Sequence, residues 1–175
     1  MLEESLKEII RDVPDFPEPG IIFKDITPIL KDHILCTAVI EGFVERLQGM
    51  ELDAVAGVES RGFLFGLLLA NRLGVPFIPI RKQGKLPFRT VSESYKLEYG
   101  QATIEIHEDA FPLGTKVLVH DDLLATGGTV VAASKLIEKL GGSIAGYAFV
   151  ISLDFLNGRG RLTRFSDSII SLVSY

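Results

Sequence analysis

Two adjacent carboxylates in this chain precede a short segment rich in glycine and threonine. The run from Val117 to Thr129 holds the pair Asp121 and Asp122 and ends on Ala125, Thr126, Gly127, Gly128 and Thr129. A helical pattern begins directly after this loop, so unpaired backbone N–H groups and the positive end of the helix dipole point at it. Glycine permits positive φ at both glycine positions and a close approach of the main chain to oxygen atoms. The pattern therefore predicts an anion-binding loop.

The motifs that this loop lacks and its two acidic residues limit the kinds of ligand that it can bind. It has neither the Gly-Lys-Ser/Thr ending of a nucleoside-triphosphate loop nor a Gly-x-Gly-x-x-Gly pattern. Asp121 and Asp122 would repel a bare phosphate, but they could accept hydrogen bonds from sugar hydroxyls, help to hold Mg²⁺, or face a developing cation. A sugar that carries a phosphate at one end and reacts at the other meets all three conditions. The alternative is a plain strand-to-helix turn with aspartate caps.

A second candidate segment is basic. The chain has a formal net charge of −5, yet four cations follow one another with no acidic residue among them: Arg81, Lys82, Lys85 and Arg89. Such a concentration of cations in an acidic chain is typical of a segment that meets phosphates. The alternative is a solvated loop.

An alternation of strands and helices must position these residues. Apolar periodicity predicts helices at 2–12, 32–47, 63–73 and 129–140, and strands at 54–58, 75–80, 117–120, 147–153 and 169–173. The alternation is typical of βαβ units, so we expect an α/β fold with a parallel sheet flanked by helices. Ligands of such sheets bind beyond the carboxyl ends of the strands. The loops after residues 58, 80 and 120 are therefore the expected binding loops.

Two segments are expected to be additions to the core of a single domain, residues 1–175. Residues 1–30 contain four prolines, which predict an extended arm, or hood, after the first helix. Residues 84–106 lack helical periodicity and are rich in β-forming residues, which predicts a projecting, flexible hairpin. Asp32 is expected to cap the second helix, and Gly74 is expected to end the third.

Composition limits the compartment and the partners. Apolar residues make up 47% and charged residues 23% of the chain, as in an ordinary globular protein. The one cysteine, Cys36, excludes an intramolecular disulfide. The acidic balance disfavours nucleic acid as a partner, and the longest apolar stretch, 63–70, is too short to span a membrane. Because the start also lacks the pattern of a signal peptide, we expect a cytoplasmic protein.

The run from Val117 to Thr129 resembles the phosphoribosyl-pyrophosphate signature of the type I phosphoribosyltransferases. The shared features are an apolar strand, two acids, an apolar pair and a Thr-Gly-Gly-Thr loop. Other segments resemble one family of this class, the adenine phosphoribosyltransferases: the arm 16–28, the loop 57–66, and the hairpin segments 80–87 and 95–100. The resemblance is in register from about residue 14 to 155 and is weak beyond it.

The resemblance implies the type I phosphoribosyltransferase fold and a reaction of purine salvage. In that reaction the 5-phosphoribosyl group passes from phosphoribosyl pyrophosphate to adenine, giving AMP and pyrophosphate. The resemblance also implies a homodimer and Mg²⁺ as cofactor, carried by the pyrophosphate near Asp121 and Asp122. Two alternatives stay open: a phosphoribosyltransferase for another purine base, such as xanthine or guanine, and a non-catalytic regulator that senses phosphoribosyl pyrophosphate.

The resemblance places the base on the N-terminal arm. Backbone groups of Ile22 and Lys24 are implied to read the edge of adenine, while Phe23 and Leu123 sandwich its ring. Adenine presents an acceptor beside an amino donor, which a backbone N–H and C=O can match. Guanine and hypoxanthine reverse both groups and would leave buried polar groups unpaired, so selectivity for adenine is expected.

The resemblance places the pyrophosphate between two loops. The loop of Glu59, Ser60 and Arg61 is implied to grip it, with a non-proline cis peptide near Glu59-Ser60. Arg81 is implied to reach the pyrophosphate of the neighbouring subunit, and Lys82 and Lys85 accompany it in the same basic segment.

The proton transfer is assigned to the hairpin. Glu98, beside Tyr99, is the candidate acid/base, because the attacking purine nitrogen must lose or exchange a proton. Two residues depart from the family pattern. His120 stands where an aliphatic residue is usual, and we expect a strand-end histidine satisfied by a neighbour more readily than a catalytic one. Phe88 stands where glycine or another small or polar residue is usual, which predicts a stiffer loop tip.

Overall fold

The fold is built around one seven-stranded sheet with helices on both faces. The computed structural model describes residues 2–97 and 100–175. The helices are α1 Leu2–Ile9, α2 His33–Arg46, α3 Gly62–Leu73, α4 Gly128–Lys139 and the short α5 Arg159–Leu162. The strands are β1 Arg11–Pro14, β2 Ile22–Asp25, β3 Ala54–Val58, β4 Phe77–Lys82, β5 Thr90–Lys96, β6 Gln101–His107, β7 Lys116–Leu124, β8 Ser143–Ser152 and β9 Ile169–Ser174.

The main sheet is mixed, with a parallel centre and an antiparallel edge. Its order is β5-β6-β4-β3-β7-β8-β9. The five strands from β4 to β9 in this order run parallel, which confirms the expected α/β architecture. β6 is antiparallel to both β4 and β5. The hairpin expected at 84–106 is therefore present, but the expectation that it is an addition to the core is wrong, because β6 extends the sheet and buries Ile104 and Ile106.

Alternation along the strands divides the core into two layers. Along β7, Val117 and Val119 pack on the face covered by α4, while Leu118 packs on the opposite face with α2 and α3. All three side chains are fully buried. Because both faces are covered, the central strands are almost continuously apolar, as is usual for parallel strands. The carboxyl ends of β3, β4 and β7 consequently meet at one edge of the sheet.

The N-terminal arm is a helix followed by a two-stranded hairpin. The predicted helix 2–12 ends at Ile9, because residues from Arg11 onwards form β1 and pair with β2. The register places Val13 opposite Phe23 and Lys24 opposite Asp12. The arm therefore presents Phe23 from a paired strand.

The predicted helix boundaries at Asp32 and Gly74 are confirmed. The Asp32 carboxylate accepts hydrogen bonds from the N–H groups of Ile34 and Leu35, at 2.9 and 3.2 Å. Gly74 ends α3 in the left-handed conformation, with φ of 70°. In the part of the chain that the structure describes, no helix is long and apolar enough to cross a membrane.

Candidate phosphate and sugar site

The predicted phosphate loop joins β7 to α4 at the carboxyl edge of the sheet. β7 continues through both acids to Leu124, which pairs with Ser152 of β8. The strand predicted to end at 120 is therefore four residues longer, and the loop shortens to Ala125–Gly127. The first helical hydrogen bond of α4 runs from the Val131 N–H to the Gly127 carbonyl, at 2.9 Å. The N–H groups of residues 128–130 precede it and point towards the loop, as an anion site requires.

One of the two glycines in the loop has a conformation that requires glycine. Gly127 has φ of 79°, and a Cβ at this position would lie 3.1 Å from the Gly158 carbonyl oxygen. Gly128 is the first residue of α4 and does not use the positive φ that glycine permits. A Cβ on Gly128 would meet Tyr95 at an ordinary contact distance of 3.6 Å.

The two acids differ in environment. The Arg61 Nε donates to Asp122 Oδ2 at 2.5 Å, and Asp122 is only 3% exposed. The Asp122 N–H donates to Asp121 Oδ1 at 2.8 Å. Burial, reinforced by the neighbouring Asp122 carboxylate, raises the pKa of Asp121 well above its ordinary value. Asp122 is thus the partner of a cation, while Asp121 keeps a proton more readily than a free aspartate does.

The pyrophosphate loop is tied to the basic segment by Glu59. The Arg81 Nε and Nη2 donate to the Glu59 carboxylate at 3.2 and 3.3 Å, and the Lys82 N–H donates to it at 2.8 Å. Burial alone would raise the pKa of Glu59, but these two partners lower it below its ordinary value. The Lys85 carbonyl accepts from Arg81 Nη1 at 3.0 Å. The peptide bond between Glu59 and Ser60 is cis, as expected.

Two cavities at this edge are lined by nine of the predicted site residues. One, of about 250 Å³, is lined by both acids and by the pyrophosphate loop: Glu59, Ser60, Arg61, Lys82, Asp121 and Asp122. The other, of about 620 Å³, lies between arm, hairpin and phosphate loop and is lined by Pro17, Glu18, Ile21, Tyr95, Lys96, Leu97, Thr126, Gly128, Thr129 and Arg161. Six of the residues assigned to pyrophosphate and ribose therefore face one space, and three of those assigned to phosphate face the next. Arg81, Lys85, Ala125 and Gly127 are not among the lining residues of either cavity.

The arm reaches the pyrophosphate loop through Phe23. The Arg61 guanidinium carbon lies 4.7 Å from the centroid of the Phe23 ring, which also meets Phe16 edge to face at 5.2 Å. The next residue but one towards the turn, Ile21, lines the larger cavity, and Ile22 is exposed. The arm thus stands beside the site, as its predicted role in base binding requires.

The other two residues assigned to the base are placed less directly. The Lys24 ammonium donates to Asp12 at 2.6 Å and lies 3.7 Å from the centroid of the Tyr175 ring. Its side chain is therefore already engaged, which leaves its main chain for the predicted contact with adenine. Leu123 is half-buried on the α2 and α3 side of β7. The sandwich of the base between Phe23 and Leu123 stays a prediction.

The hairpin carries two residues of predicted importance that lie outside the described residues, Glu98 and Tyr99. The preceding residue, Leu97, lines the larger cavity. Phe88, before β5, has φ of 70° and is 75% exposed. Its left-handed backbone explains why glycine suits this position, because a side chain there is strained.

His120 lies in the core and not at the site. It is fully buried, with the Phe43 ring edge to face at 5.5 Å, and α3 approaches it closely at Gly66. Within the described residues neither ring nitrogen has a hydrogen-bond partner, so the expectation of a neighbour that satisfies it is wrong. Burial lowers the pKa of His120 to about 4, although the Asp122 charge opposes the shift. The ring is neutral at physiological pH.

The sequence gives no sign of the contacts that fasten the hairpin to α4. The Thr129 hydroxyl donates to the Tyr95 hydroxyl at 3.0 Å. Glu93, also on β5, accepts from Lys135 at 3.1 Å and from Lys139. These partners are more than thirty residues apart in the chain, so no local pattern predicts them. The hairpin consequently contacts the phosphate loop directly through Tyr95.

A metal ion would find only part of its ligands in this chain. Residues 2–97 and 100–175 contain no group of three or more His, Cys, Asp or Glu side chains that could hold a metal. Asp121 and Asp122 are two adjacent carboxylates, and Asp122 is already paired with Arg61. Mg²⁺ commonly uses one or two carboxylates together with phosphate oxygens of a substrate. The arrangement fits an ion that arrives with a phosphorylated ligand.

Comparison with known proteins identifies the class of this fold and site. A family model described as "Phosphoribosyl transferase domain" matches residues 26–168. That range contains the main sheet up to β8, the phosphate loop, both acids and the basic segment. The sheet and its carboxyl edge therefore define a phosphoribosyltransferase.

Relatives narrow the class to one family. An adenine phosphoribosyltransferase of Chloroflexus aurantiacus is 56% identical over 175 residues, covering 100% of both chains, and one of Cytophaga hutchinsonii is 55% identical, covering 100% of this chain and 97% of its own. The crystal structure of adenine phosphoribosyltransferase from Thermoanaerobacter pseudethanolicus, 50% identical, matches with a TM-score of 0.96 and 100% coverage of both chains. The Saccharomyces cerevisiae enzyme, in complex with an iminoaltritol bisphosphate and adenine, matches with 40% identity, a TM-score of 0.92 and 98% coverage of both chains. The chain belongs to the adenine phosphoribosyltransferase family.

Proposed function

We propose that this protein transfers the 5-phosphoribosyl group of phosphoribosyl pyrophosphate to adenine, giving AMP and pyrophosphate in purine salvage. The observation that carries the proposal is the loop Ala125–Gly127, which opens the N-terminus of α4 beside Asp121 and Asp122. The family membership supports it, since the full-length relatives are named for this activity. The acidic pair next to the loop is suited to bind the ribose, and the N-terminal arm is suited to bind the base.

The 5′-phosphate of both substrate and product binds at the phosphate loop. The N–H groups of Gly128, Thr129 and Val130 precede the first helical bond and donate to phosphate oxygens. The hydroxyls of Thr126 and Thr129 add donors, and Ala125 and Gly127 set the turn of the main chain. The ribose then lies towards the end of β7, where Asp121 and Asp122 accept hydrogen bonds from its hydroxyls.

Departure of pyrophosphate creates positive charge on the ribose and negative charge on the leaving group. As the bond between C1 and the pyrophosphate oxygen breaks, a ring nitrogen of adenine forms the new bond to C1. Arg61, Ser60 and Lys82 line the cavity that receives the leaving group, and Glu59 keeps their loops together. The two carboxylates at the other side of this cavity stabilise the charge on the sugar.

Mg²⁺ is the proposed cofactor, and it neutralises the charge of pyrophosphate when bound. Asp121 and Asp122, which line the same cavity as Glu59, Ser60 and Arg61, are the residues that would hold the ion. Their low number explains why a substrate must supply the remaining ligands.

The base is held by the arm, and its proton is taken by the hairpin. Phe23 stacks against one face of adenine and Leu123 against the other, while main-chain groups of Ile22 and Lys24 read its edge. Glu98 is the proposed acid/base, with Tyr99 beside it. Support comes from Leu97, which lines the cavity shared with the phosphate loop. Closure of the hairpin over this cavity excludes water, which would otherwise hydrolyse the activated sugar.

A homodimer is the proposed assembly. An apolar surface faces outward on α3, where Leu64, Leu67 and Leu68 are 40%, 56% and 48% exposed. Leu30, also exposed, lines the same groove as Leu68. Exposed apolar surface of this kind marks an interface. In the dimer, Arg81 exchanges its own Glu59 for the pyrophosphate of the neighbouring subunit.

We place the enzyme in the cytoplasm, where its phosphorylated substrates are made and its single cysteine, Cys36, stays reduced.

One assay tests the function directly. Purified protein is given phosphoribosyl pyrophosphate with adenine, guanine, hypoxanthine or xanthine in turn, with and without Mg²⁺, and nucleotide formation is followed by chromatography. We expect AMP from adenine in the presence of Mg²⁺ and little product from the oxo purines. Turnover with an oxo purine in preference to adenine would establish a different base specificity. Binding of phosphoribosyl pyrophosphate without turnover of any base would establish a regulator.

A further inference from the structure

We propose that Arg161, on the C-terminal segment, is a phosphate-binding residue that completes the 5′-phosphate site from outside the phosphate loop. The inference rests on the proposed function and extends it to the C-terminal segment, which lies outside the motifs quoted for the sequence resemblance but inside the range of the family model and of the relatives. Its basis is the seating of α5 directly behind the loop between β7 and α4.

The C-terminal segment is held against the phosphate loop without space between them. A Cβ on Gly158 would lie 2.2 Å from the Ala125 carbonyl oxygen, and one on Gly127 would lie 3.1 Å from the Gly158 carbonyl oxygen. Arg159 donates to the Ile169 carbonyl at 3.0 Å, and Leu162 is fully buried. The residues on both sides of Arg161 are therefore anchored, and its backbone position is fixed relative to the loop.

The Arg161 side chain runs along the open side of the loop. Its Nη1 donates to the Thr126 carbonyl at 3.1 Å. The same atom is 3.8 Å from the position of a Cβ on Gly128, the first residue of α4. Arg161 also lines the cavity that Thr126, Gly128 and Thr129 share with the hairpin. This contact uses one of the five guanidinium donors, which leaves donors for a ligand in the cavity that Arg161 lines.

The charge of Arg161 has no counterpart within the described residues. Arg61 and Arg81 are each paired with a carboxylate, Asp122 and Glu59. In residues 2–97 and 100–175, no carboxylate forms an ion pair with Arg161, although Glu18 lines the same cavity. A cation beside a helix N-terminus is also disfavoured by the positive end of the helix dipole. Both features become favourable when an anion lies between the guanidinium and the N–H groups of α4.

A phosphate ester is the anion that fits. The main-chain N–H groups of α4 approach it from one side and a planar guanidinium from another, and arginine donates to phosphate through two parallel hydrogen bonds. Without Arg161, the donors of the loop and of α4 would be amides and hydroxyls, and the cation left lining this cavity among the described residues would be Lys96, on the hairpin. Arg161 supplies the charge that the loop itself does not contain.

The test compares Arg161→Met with Arg164→Met. Arg164 belongs to the same segment and is exposed, but its guanidinium stacks over Phe165 at 4.3 Å and does not line the cavity. Ribose 5-phosphate, inorganic phosphate and adenine are titrated calorimetrically into each protein. We expect Arg161→Met to weaken ribose 5-phosphate and phosphate binding by about 10- to 100-fold, as for a lost hydrogen bond to a charged group, with adenine affinity unchanged. Arg161→Lys should recover part of the loss, and Arg164→Met should bind as the wild type does.

A structural role gives different results. If Arg161 only holds the Thr126 carbonyl, Arg161→Met lowers the melting temperature and leaves the affinity for ribose 5-phosphate unchanged, and the inference is overturned. A second measurement uses the unmodified enzyme, in case the variant does not fold. Ribose 5-phosphate should protect Arg161, but not Arg164, from phenylglyoxal, as mapped by mass spectrometry, and absence of protection overturns the inference. Failure of the wild type to bind ribose 5-phosphate would instead contradict the proposed function itself.

Discussion

The conformation of Gly127 provides a quantitative test of the phosphate loop. Its φ of 79° lies in the left-handed region, where a residue with a Cβ costs about 1–2 kcal/mol. A Cβ would in addition lie 3.1 Å from the Gly158 carbonyl oxygen, so the C-terminal segment must shift by a few tenths of an ångström. We therefore expect Gly127→Ala to raise the free energy of the liganded, folded protein by about 1–2 kcal/mol or more.

The free-energy cost of Gly127→Ala can lower the stability of the free protein, its affinity for the ligand, or both. The sum of the two losses is fixed by the geometry of the loop in the liganded protein. If the loop keeps its shape in the free protein, the whole cost lowers the free energy of unfolding. If the loop relaxes, the unfolding free energy is preserved, and the ligand must restore the shape. In that case the affinity for ribose 5-phosphate falls by about tenfold for each 1.4 kcal/mol. Urea unfolding and calorimetric titration of the same samples give both parts.

Gly74→Ala is the matched control. Gly74 also has a left-handed backbone, with φ of 70°, but nothing lies within 4 Å of a Cβ there, and it ends α3 away from the phosphate loop. Its cost should fall on the free energy of unfolding alone, with ribose 5-phosphate binding unchanged. If Gly127→Ala changes neither the free energy of unfolding nor the affinity for ribose 5-phosphate, while Gly74→Ala destabilises the protein, the proposed loop geometry is wrong.

Three further variants test the proposed chemistry. Asp121→Asn combined with Asp122→Asn should lower kcat by about 100-fold or more while the protein stays folded, and wild-type turnover would remove the acids from the mechanism. Glu98→Ala should lower kcat by about 10²- to 10⁴-fold and raise KM less, measured by steady-state AMP formation; an unchanged kcat excludes Glu98 as the acid/base. Arg81→Ala should reduce kcat, and mixed dimers with the double Asp variant should recover activity, since one site then has its own acids and the partner's arginine. Without recovery, Arg81 acts in its own subunit beside Glu59.

Local rules predicted the elements and several of their ends. Asp32 caps α2 because its side chain accepts hydrogen bonds from the first free N–H groups of the helix. Gly74 ends α3 because glycine adopts the left-handed backbone conformation without strain. The turn between β7 and α4 was predictable for the same reason, since a glycine-rich turn before a helix exposes N–H groups wherever it occurs; its binding of an anion stays a prediction. The family resemblance added the roles of residues whose positions carry no local signal, such as Arg81 and Glu98.

Pairings between distant parts of the chain were not predictable. β7 extends to Leu124 because β8 offers a partner up to Ser152, and the hairpin joins the sheet because β6 pairs with β4. His120 was expected at a strand end, but the longer strand places it inside the core, where the apolar surroundings keep it neutral. Arg161 lies outside the motifs that carry the sequence resemblance, and only folding brings it to Thr126. Each of these depends on contacts that a one-dimensional pattern does not encode.

The ion pairs of the two acidic residues Asp122 and Glu59 explain why acids stand at the proposed anion site. Arg61 is held by Asp122 and Arg81 by Glu59, and Asp122 is nearly inaccessible to solvent. Removing one partner of such a pair leaves a buried charge without compensation, which is strongly unfavourable. In the proposed mechanism, pyrophosphate can therefore take Arg61 only if Asp122 gains another partner in the same step, and the hydroxyls of the ribose or Mg²⁺ would be that partner. A substrate that carries the leaving group and the sugar together would supply a new partner for Arg61 and one for Asp122. Pyrophosphate alone would supply only the partner for Arg61.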